Sequence, residues 1–327
     1  MPAVLPLTEG QRGESIRDLQ RRLASAGFMP RAAEVGYFCS GTAEALRQFQ
    51  HARGLHETGV CDDVSWRALV EANYKRGDRR LLLTSPNMRG DDVVDLQSSL
   101  ARLGFDCGRV DGIFGPLTAR ALADFQSNCG LSADAVYGPD TLRALSRVMS
   151  QTGTGPGVSS IREVERLRDS PQQLGSLRVV VGYFDGLSSI ARAVVHELRM
   201  AGAVAHPLDQ PDAVDQSRAA NQLTAHCYVG FGAGTGDQSV VHFYQVPSFE
   251  SVGGRTLAES LHGELSPIIP MAEPAGMRLP ILRETRMPAV MCSVAPVRPA
   301  VDAAPEIGRA VVRTVTTWMR LCALPLD

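Results

Sequence analysis

Hydrolysis at neutral pH needs either a metal that polarises a carbonyl and activates water, or a side-chain nucleophile held by a base. The 327-residue sequence offers few residues for either. His226 and His242 stand on or beside apolar runs that read as strands, and Asp185 follows another such run. These three are the richest candidate ligand set. No His-x-x-x-His or Cys-x-x-Cys spacing brings ligands to one helix face or one turn. His196-Glu197 lies in a helical pattern with no second histidine four residues on, and reads as a surface pair. Gly-x-Ser-x-Gly, the turn that exposes a serine nucleophile, does not occur. Gly230 to Gly236 is rich enough in glycine to cradle phosphate, but a strand pattern follows it rather than a helix, so a loop is expected. The expectation is no catalytic residue, no metal and no cofactor.

The elements that would position these residues alternate. Leu177 to Phe184 is a mostly apolar run between glycines, the pattern of a buried strand. A helix pattern with Ile190, Val194, Val195 and Leu198 follows, then a short strand at Val204 to His206 and a helix at Asp212 to Leu223. Cys227 to Phe231, Ser239 to Val246 and Ala289 to Val294 read as strands, Leu257 to Leu265 and Pro305 to Leu321 as helices. Such alternation predicts one α/β domain with helices on both sheet faces.

The first half is built differently, because it repeats itself. Gly13, Leu19, Gln20, Leu23, Gly27 and Phe28 recur 77 positions later as Gly90, Leu96, Gln97, Leu100, Gly104 and Phe105. Phe38, Thr42, Ala43, Ala45, Leu46, Phe49, Gln50, Gly54 and Leu55 recur 76 positions later as Phe114, Thr118, Ala119, Ala121, Leu122, Phe125, Gln126, Gly130 and Leu131. Val93, Leu96, Leu100 and Leu103 line one helix face, and Gly-Pro at 115–116 and 138–139 marks helix starts, so each copy is predicted to be a small helical bundle. Bundles of about 60 residues are marginal alone, and the copies are expected to pack together or on the next domain. The resulting map is 1–80 and 81–150 for the repeats, 151–175 for a linker and charged lead-in, and 176–327 for the α/β domain. Ser150 to Gly157 is the seam.

Composition narrows the function classes. A net charge of -2, evenly spread, gives no field for nucleic acid, and no run approaches the ~20 apolar residues of a membrane span. Seven scattered cysteines, an odd number, read as reduced and mostly buried. Met1 to Glu9 lacks a basic region, a long apolar region and a cleavage site, so a cytoplasmic location is expected.

Asp111-Gly112-Ile113-Phe114-Gly115-Pro116-Leu117-Thr118, with Ala121, Phe125-Gln126 and Gly130-Leu131, resembles the peptidoglycan-binding domain 1 family. The resemblance implies a glycan-binding loop at Asp111, Gly112, Phe114, Gly115 and Thr118; the alternative is that these residues shape a turn and fill a core. The first copy has Glu34-Val35-Gly36-Tyr37-Phe38-Cys39 where that loop would lie. From about 176 to 321 the segment order resembles the zinc-dependent type 3 N-acetylmuramoyl-L-alanine amidases, through Asp185-Gly186, Arg218-x-x-Asn221, Leu257-Ala258 and Met287-Pro288-Ala289-Val290. Those enzymes hold zinc with His, Glu and His and use a Glu as general base. Here the first histidine falls at Asp185, the glutamate loop is missing because the helix pattern resumes at Ser188 or Ser189, the second histidine falls in Gly230 to Gly234 around Gly232, and the catalytic glutamate falls at Ser293.

Together with Ser160-Ile161-Arg162-Glu163 and Leu282-Arg283-Glu284-Thr285-Arg286-Met287-Pro288, this arrangement resembles the CwlM-type amidase-like regulators of actinobacteria. The resemblance implies a cytoplasmic pseudoenzyme that regulates peptidoglycan precursor synthesis by binding MurA, the enolpyruvyl transferase. The alternatives are a zinc amidase with divergent ligands and a sensor of muropeptides, peptidoglycan fragments or lipid-linked precursor. Arg283, Glu284 and Arg286, expected beside the inactive cleft, are the candidate partner surface, with solvated charges flanking a strand as the competing reading.

Overall fold

The computed structural model describes residues 5–31, 34–149, 163, 165–168, 171–246 and 249–323. It divides into two units, Met1–Ser159 and Ser160–Asp327. The expected seam at 150–157 lies outside the described residues.

The first unit holds two three-helix modules: α1 (Glu14–Ser25), α2 (Ser40–Ala52) and α3 (Asp63–Ala72), then α4 (Asp91–Arg102), α5 (Pro116–Asn128) and α6 (Pro139–Met149). Two helices of each module end alike. Gly27, Gly54, Gly104 and Gly130 take φ of 91, 59, 93 and 69°, a region that costs glycine nothing. The next residue's N–H turns back onto the helix: Phe28 to Leu23 O (2.8 Å), Leu55 to Gln50 O (2.8 Å), Phe105 to Leu100 O (2.9 Å) and Leu131 to Gln126 O (2.9 Å). The reversal sends Phe28 and Phe105 edge-on to Phe49 and Phe125, both at 5.6 Å.

Between helices the loops are pinned by buried glutamines. The Gln97 carbonyl accepts the N–H groups of Asp111 (3.1 Å) and Gly112 (2.7 Å); its amide donates to Asp111 Oδ1 (2.9 Å), Ile113 O (3.1 Å) and Thr118 Oγ1 (3.1 Å). Gln20 does the same with Gly36 N–H, the carbonyls of Glu34 and Tyr37, and Thr42. Gln50 serves Gly59 N–H, Thr58, Val60 O and Ser65, and Gln126 serves Ala135 N–H, Asp134, Val136 O and Thr141. In all four cases the hydroxyl belongs to the third residue of the next helix. Each module is therefore two similar helix–loop–helix halves.

The modules keep separate apolar cores, one around Leu19, Leu46 and Phe49, the other around Leu96, Leu122 and Phe125. Polar bonds connect them. Arg79 holds the buried Asp92 carboxylate through two bonds (2.7 and 3.0 Å) while stacking 3.5 Å from the Tyr74 ring, and Arg53 pairs with Asp91 at 2.5 Å.

In the second unit, β1 (Arg178–Tyr183), β2 (Val204–Leu208), β3 (Cys227–Ala233) and β7 (Ala289–Val294) run parallel in the order β2-β1-β3-β7. Beyond β7 lies β4 (Val240–Val246), antiparallel to it, which carries β5 (Phe249–Glu250) and β6 (Ala275–Met277). One sheet face, with Val181, Val229, Phe231, Val290 and Cys292, is buried under α7 (Ser188–Met200), α9 (Val252–Leu265) and α12 (Ala304–Ala323). Burial of each such large apolar side chain is worth about 1.5–3 kcal/mol. The opposite face carries Gly182, Gly230 and Gly232 and receives α8 (Ala213–Gln222) and the short α10 (Pro280–Glu284), which pack on each other. A further short helix, α11 (Val297–Asp302), leads into α12. Both expected layers are thus present; α10, α11, β5 and β6 are additions to the predicted elements.

Two of the lead-in residues belong to this unit's core. Leu167 is buried in its main cluster, and the Glu163 carboxylate accepts from the Ser251 hydroxyl (2.6 Å) and Val252 N–H (3.2 Å) at the start of α9. At the sheet edge, Arg199 donates twice to Ala205 O of β2 (3.0 and 2.8 Å), and Pro207 has no N–H to offer.

Two outcomes follow for stability. Gln97→Leu strands the N–H groups of the 111–113 loop and should cost the first unit about 2–4 kcal/mol in denaturant unfolding, whereas Gln48→Leu on an exposed helix face should stay within about 0.5 kcal/mol. Burial pushes the thiols of Cys61, Cys227, Cys292 and Cys322 from the ordinary 9.0 to about 12. Between those values the unfolded chain has released protons that the folded chain still holds, so stability should fall as pH rises from about 9 towards 12. Replacing Cys227 and Cys292 together with alanine or serine should flatten that slope in pH-dependent melting.

Candidate functional site

The chain leaves β1 towards β2 on one side and returns to β3 on the other, so the crevice beyond the carboxyl ends of β1 and β3 is the topological switch point of the sheet, where ligands bind in such folds. The three positions singled out from the sequence meet there. Gly232 pairs with Ser293 across β3 and β7, and Asp185, just past β1, accepts the Ala233 N–H on Oδ2 at 3.1 Å.

Their chemistry does not fit a zinc ion. The set offers one carboxylate, already bonded to backbone, one hydroxyl on Ser293 and no side chain at Gly232, whereas a catalytic zinc needs three ligands from His, Cys, Asp or Glu. Among the described residues no three such side chains are grouped to hold a metal. The histidines stand elsewhere. His226 lies at the opposite end of β1, where its Nδ1 accepts the Arg178 N–H (2.9 Å) and burial, reinforced by the Arg178 charge, holds its pKa below the ordinary value. His242 is buried in the middle of β4, paired with Met291 and Ala275. His196 is exposed on α7.

The crevice rests on a polar pair that sequence reasoning missed. Tyr228 is fully buried, and its hydroxyl donates to Gln216 Oε1 of α8, while Gln216 Nε2 donates to Gln210 O (2.7 Å). Burial drives the phenol's pKa upward, so it stays a neutral donor. The ring lies across glycines: a Cβ on Gly230 would sit 2.8 Å from Tyr228 Cε1 and 2.7 Å from Met291 Sδ. Glycines at 182, 230 and 232, inside otherwise bulky apolar strand runs, were the available signal.

The candidate glycan loop folds inward. Phe114 fills the second core, Thr118 and Gly112 are buried, and Asp111 caps Ile113 N–H (2.8 Å) while bonding Gln97; Asp111 and Gly115 keep partial exposure.

The candidate partner surface requires correction twice. Arg283 is buried at 8% exposure and Glu284 is half-buried, leaving Arg286 exposed. The segment also enters β7 at its amino end, while Ser293 is near the carboxyl end, about 13 Å along the strand from Ala289 at ~3.3 Å per residue. It is therefore not beside the crevice. Asn221 fixes it there, donating to Glu284 O (2.9 Å) and accepting Arg286 N–H (2.8 Å).

The chain thus carries a pair of helical modules followed by an α/β domain with helices on both sheet faces. Residues 12–69 and 89–145 match the family described as "Putative peptidoglycan binding domain". The chain is 32% identical over 183 residues to N-acetylmuramoyl-L-alanine amidase CwlM of Mycobacterium tuberculosis, covering 53% of this chain and 45% of that protein. It is also 32% identical over 149 residues to amidase CwlL of Bacillus licheniformis, covering 39% and 41%. The chain thus spans less than half the length of these curated relatives. Among solved structures, the amidase Ami1 of Mycobacterium smegmatis matches with a TM-score of 0.40 at 14% identity, over 44% of this chain and 97% of that one. No helix among the described residues is long and apolar enough to cross a membrane.

Charge reversal should separate the two arginines. Arg283→Glu buries a carboxylate in place of an arginine that is 8% exposed and should cost the second unit about 3 kcal/mol or more, whereas Arg286→Glu on the surface should shift stability by no more than about 0.5 kcal/mol in thermal melts.

Proposed function

We propose that this protein is a non-catalytic regulator of peptidoglycan precursor synthesis that acts in the cytoplasm by binding a precursor enzyme, MurA being the leading candidate. The observation that carries the reading is the crevice itself: the residues that converge at the switch point are Asp185, Gly232 and Ser293, with one carboxylate among them. These three side chains do not make the His, Cys, Asp or Glu ligand set by which a catalytic zinc lowers the pKa of its bound water towards about 7. The likeness to CwlM, and the family match of both helical modules, support a role tied to the cell wall. That match also favours a second ligand class, peptidoglycan fragments, held by surfaces of the modules other than the inward-facing Phe114 and Thr118.

Two measurements test the proposal. The purified protein should carry well under one zinc per chain by elemental analysis and release no peptide from muropeptides; stoichiometric zinc with amidase turnover would falsify the non-catalytic reading. Purified MurA should bind the immobilised protein saturably, and no binding with either purified component in excess removes MurA as the partner.

A further inference from the structure

Asp185 is one of three described non-glycine residues with positive φ, at 54°, and Gly186 after it also takes positive φ, at 78°. A side chain there costs about 1 kcal/mol that glycine would avoid. In return, the carboxylate reaches across to β3 and accepts the Ala233 N–H at 3.1 Å. The neighbouring bonds continue on both sides: Phe184 N–H donates to Phe231 O (2.8 Å), and Gly234 N–H donates to Val294 O (2.8 Å). The ends of β1, β3 and β7 are thus linked past the point where the strands stop.

The space beneath is occupied as well. A Cβ on Gly232 would lie 2.6 Å from Met291 Cε and 3.3 Å from Asp185 Oδ2, and one on Gly234 would lie 3.1 Å from the Ser293 backbone carbon. Met291 could swing aside, but the Ser293 backbone is fixed in β7.

We propose that Asp185 is a latch: its carboxylate, exposed at the rim, pins the carboxyl end of β1 to β3 across the switch-point crevice, so that the floor of the crevice at Gly232 is filled rather than merely short of ligands. This deepens the non-catalytic reading and rests on it. Restoring metal-binding side chains at these positions then breaks the latch and meets filled space.

Hydrogen exchange at the Ala233 amide of the full chain is the direct test. Asp185→Asn keeps an acceptor oxygen and tolerates positive φ, and should leave exchange within about twofold of the parent. Asp185→Ala and Asp185→Gly remove the acceptor and should speed exchange about tenfold, and Asp185→Gly, free of strain, keeps the test valid if the alanine variant unfolds. Equal exchange in the asparagine and glycine variants overturns the latch. The triple variant D185H, G232H, S293E should take up no stoichiometric zinc; if it folds with parental stability and binds one zinc, the crevice is open and the proposal fails. Zinc in the parent protein would instead overturn the non-catalytic reading, and the exchange data would stand apart from it.

Discussion

A polar group taken out of water must find all of its hydrogen bonds inside the protein, and this structure meets that demand largely with amide side chains. An amide both donates and accepts, so one buried glutamine can hold a loop by its N–H and C=O groups at once. Gln20, Gln50, Gln97 and Gln126 each do so, and each also takes the hydroxyl at the third position of the next helix. The same device appears in the α/β unit, where Asn221 clamps the chain before β7 and Gln216 joins α8 to the buried Tyr228. Loop shape in both units is thus dictated from the core outwards.

This accounts for the tolerance of the first module to a changed loop. Asp111-Gly112 in one copy and Val35-Gly36 in the other occupy equivalent places, yet Gln20 still finds a backbone N–H at Gly36 and carbonyls at Glu34 and Tyr37. The glutamine needs backbone groups at the right distance, and a glycine with positive φ supplies the turn in both copies.

Much of the architecture was legible because it is written in periodicity. The 77- and 76-residue repeats marked the modules, and the strand at Ala289 to Val294 was read to the residue, being a run apolar but for Ser293 and closed by Ala-Pro. What stayed hidden was written in contacts. The repeated glutamines were visible, but nothing in their spacing announced that they face inward. Arg283 looked like a surface charge because arginines usually are; α10 is too short to show a helical period, so the side that Arg283 occupies could not be seen. The placement of Arg283, Glu284 and Arg286 beside the cleft failed because a strand's sequence gives its direction only once its neighbours are known. The convergence of Asp185, Gly232 and Ser293 depended on the parallel pairing and register of β1, β3 and β7, whereas alternation of segments predicted only an α/β domain with helices on both sheet faces.

The treatment of the β2 edge has a consequence for how such a protein can associate. Arg199 sits on the Ala205 carbonyl, and Pro207 withholds a donor, so the outer rim of that strand presents little main chain for another chain to pair with. A binding partner arriving at this rim would have to recognise shape and side chains, which differ from one protein to the next, instead of the peptide backbone, which all proteins share. Selectivity is thereby built into the geometry of the boundary.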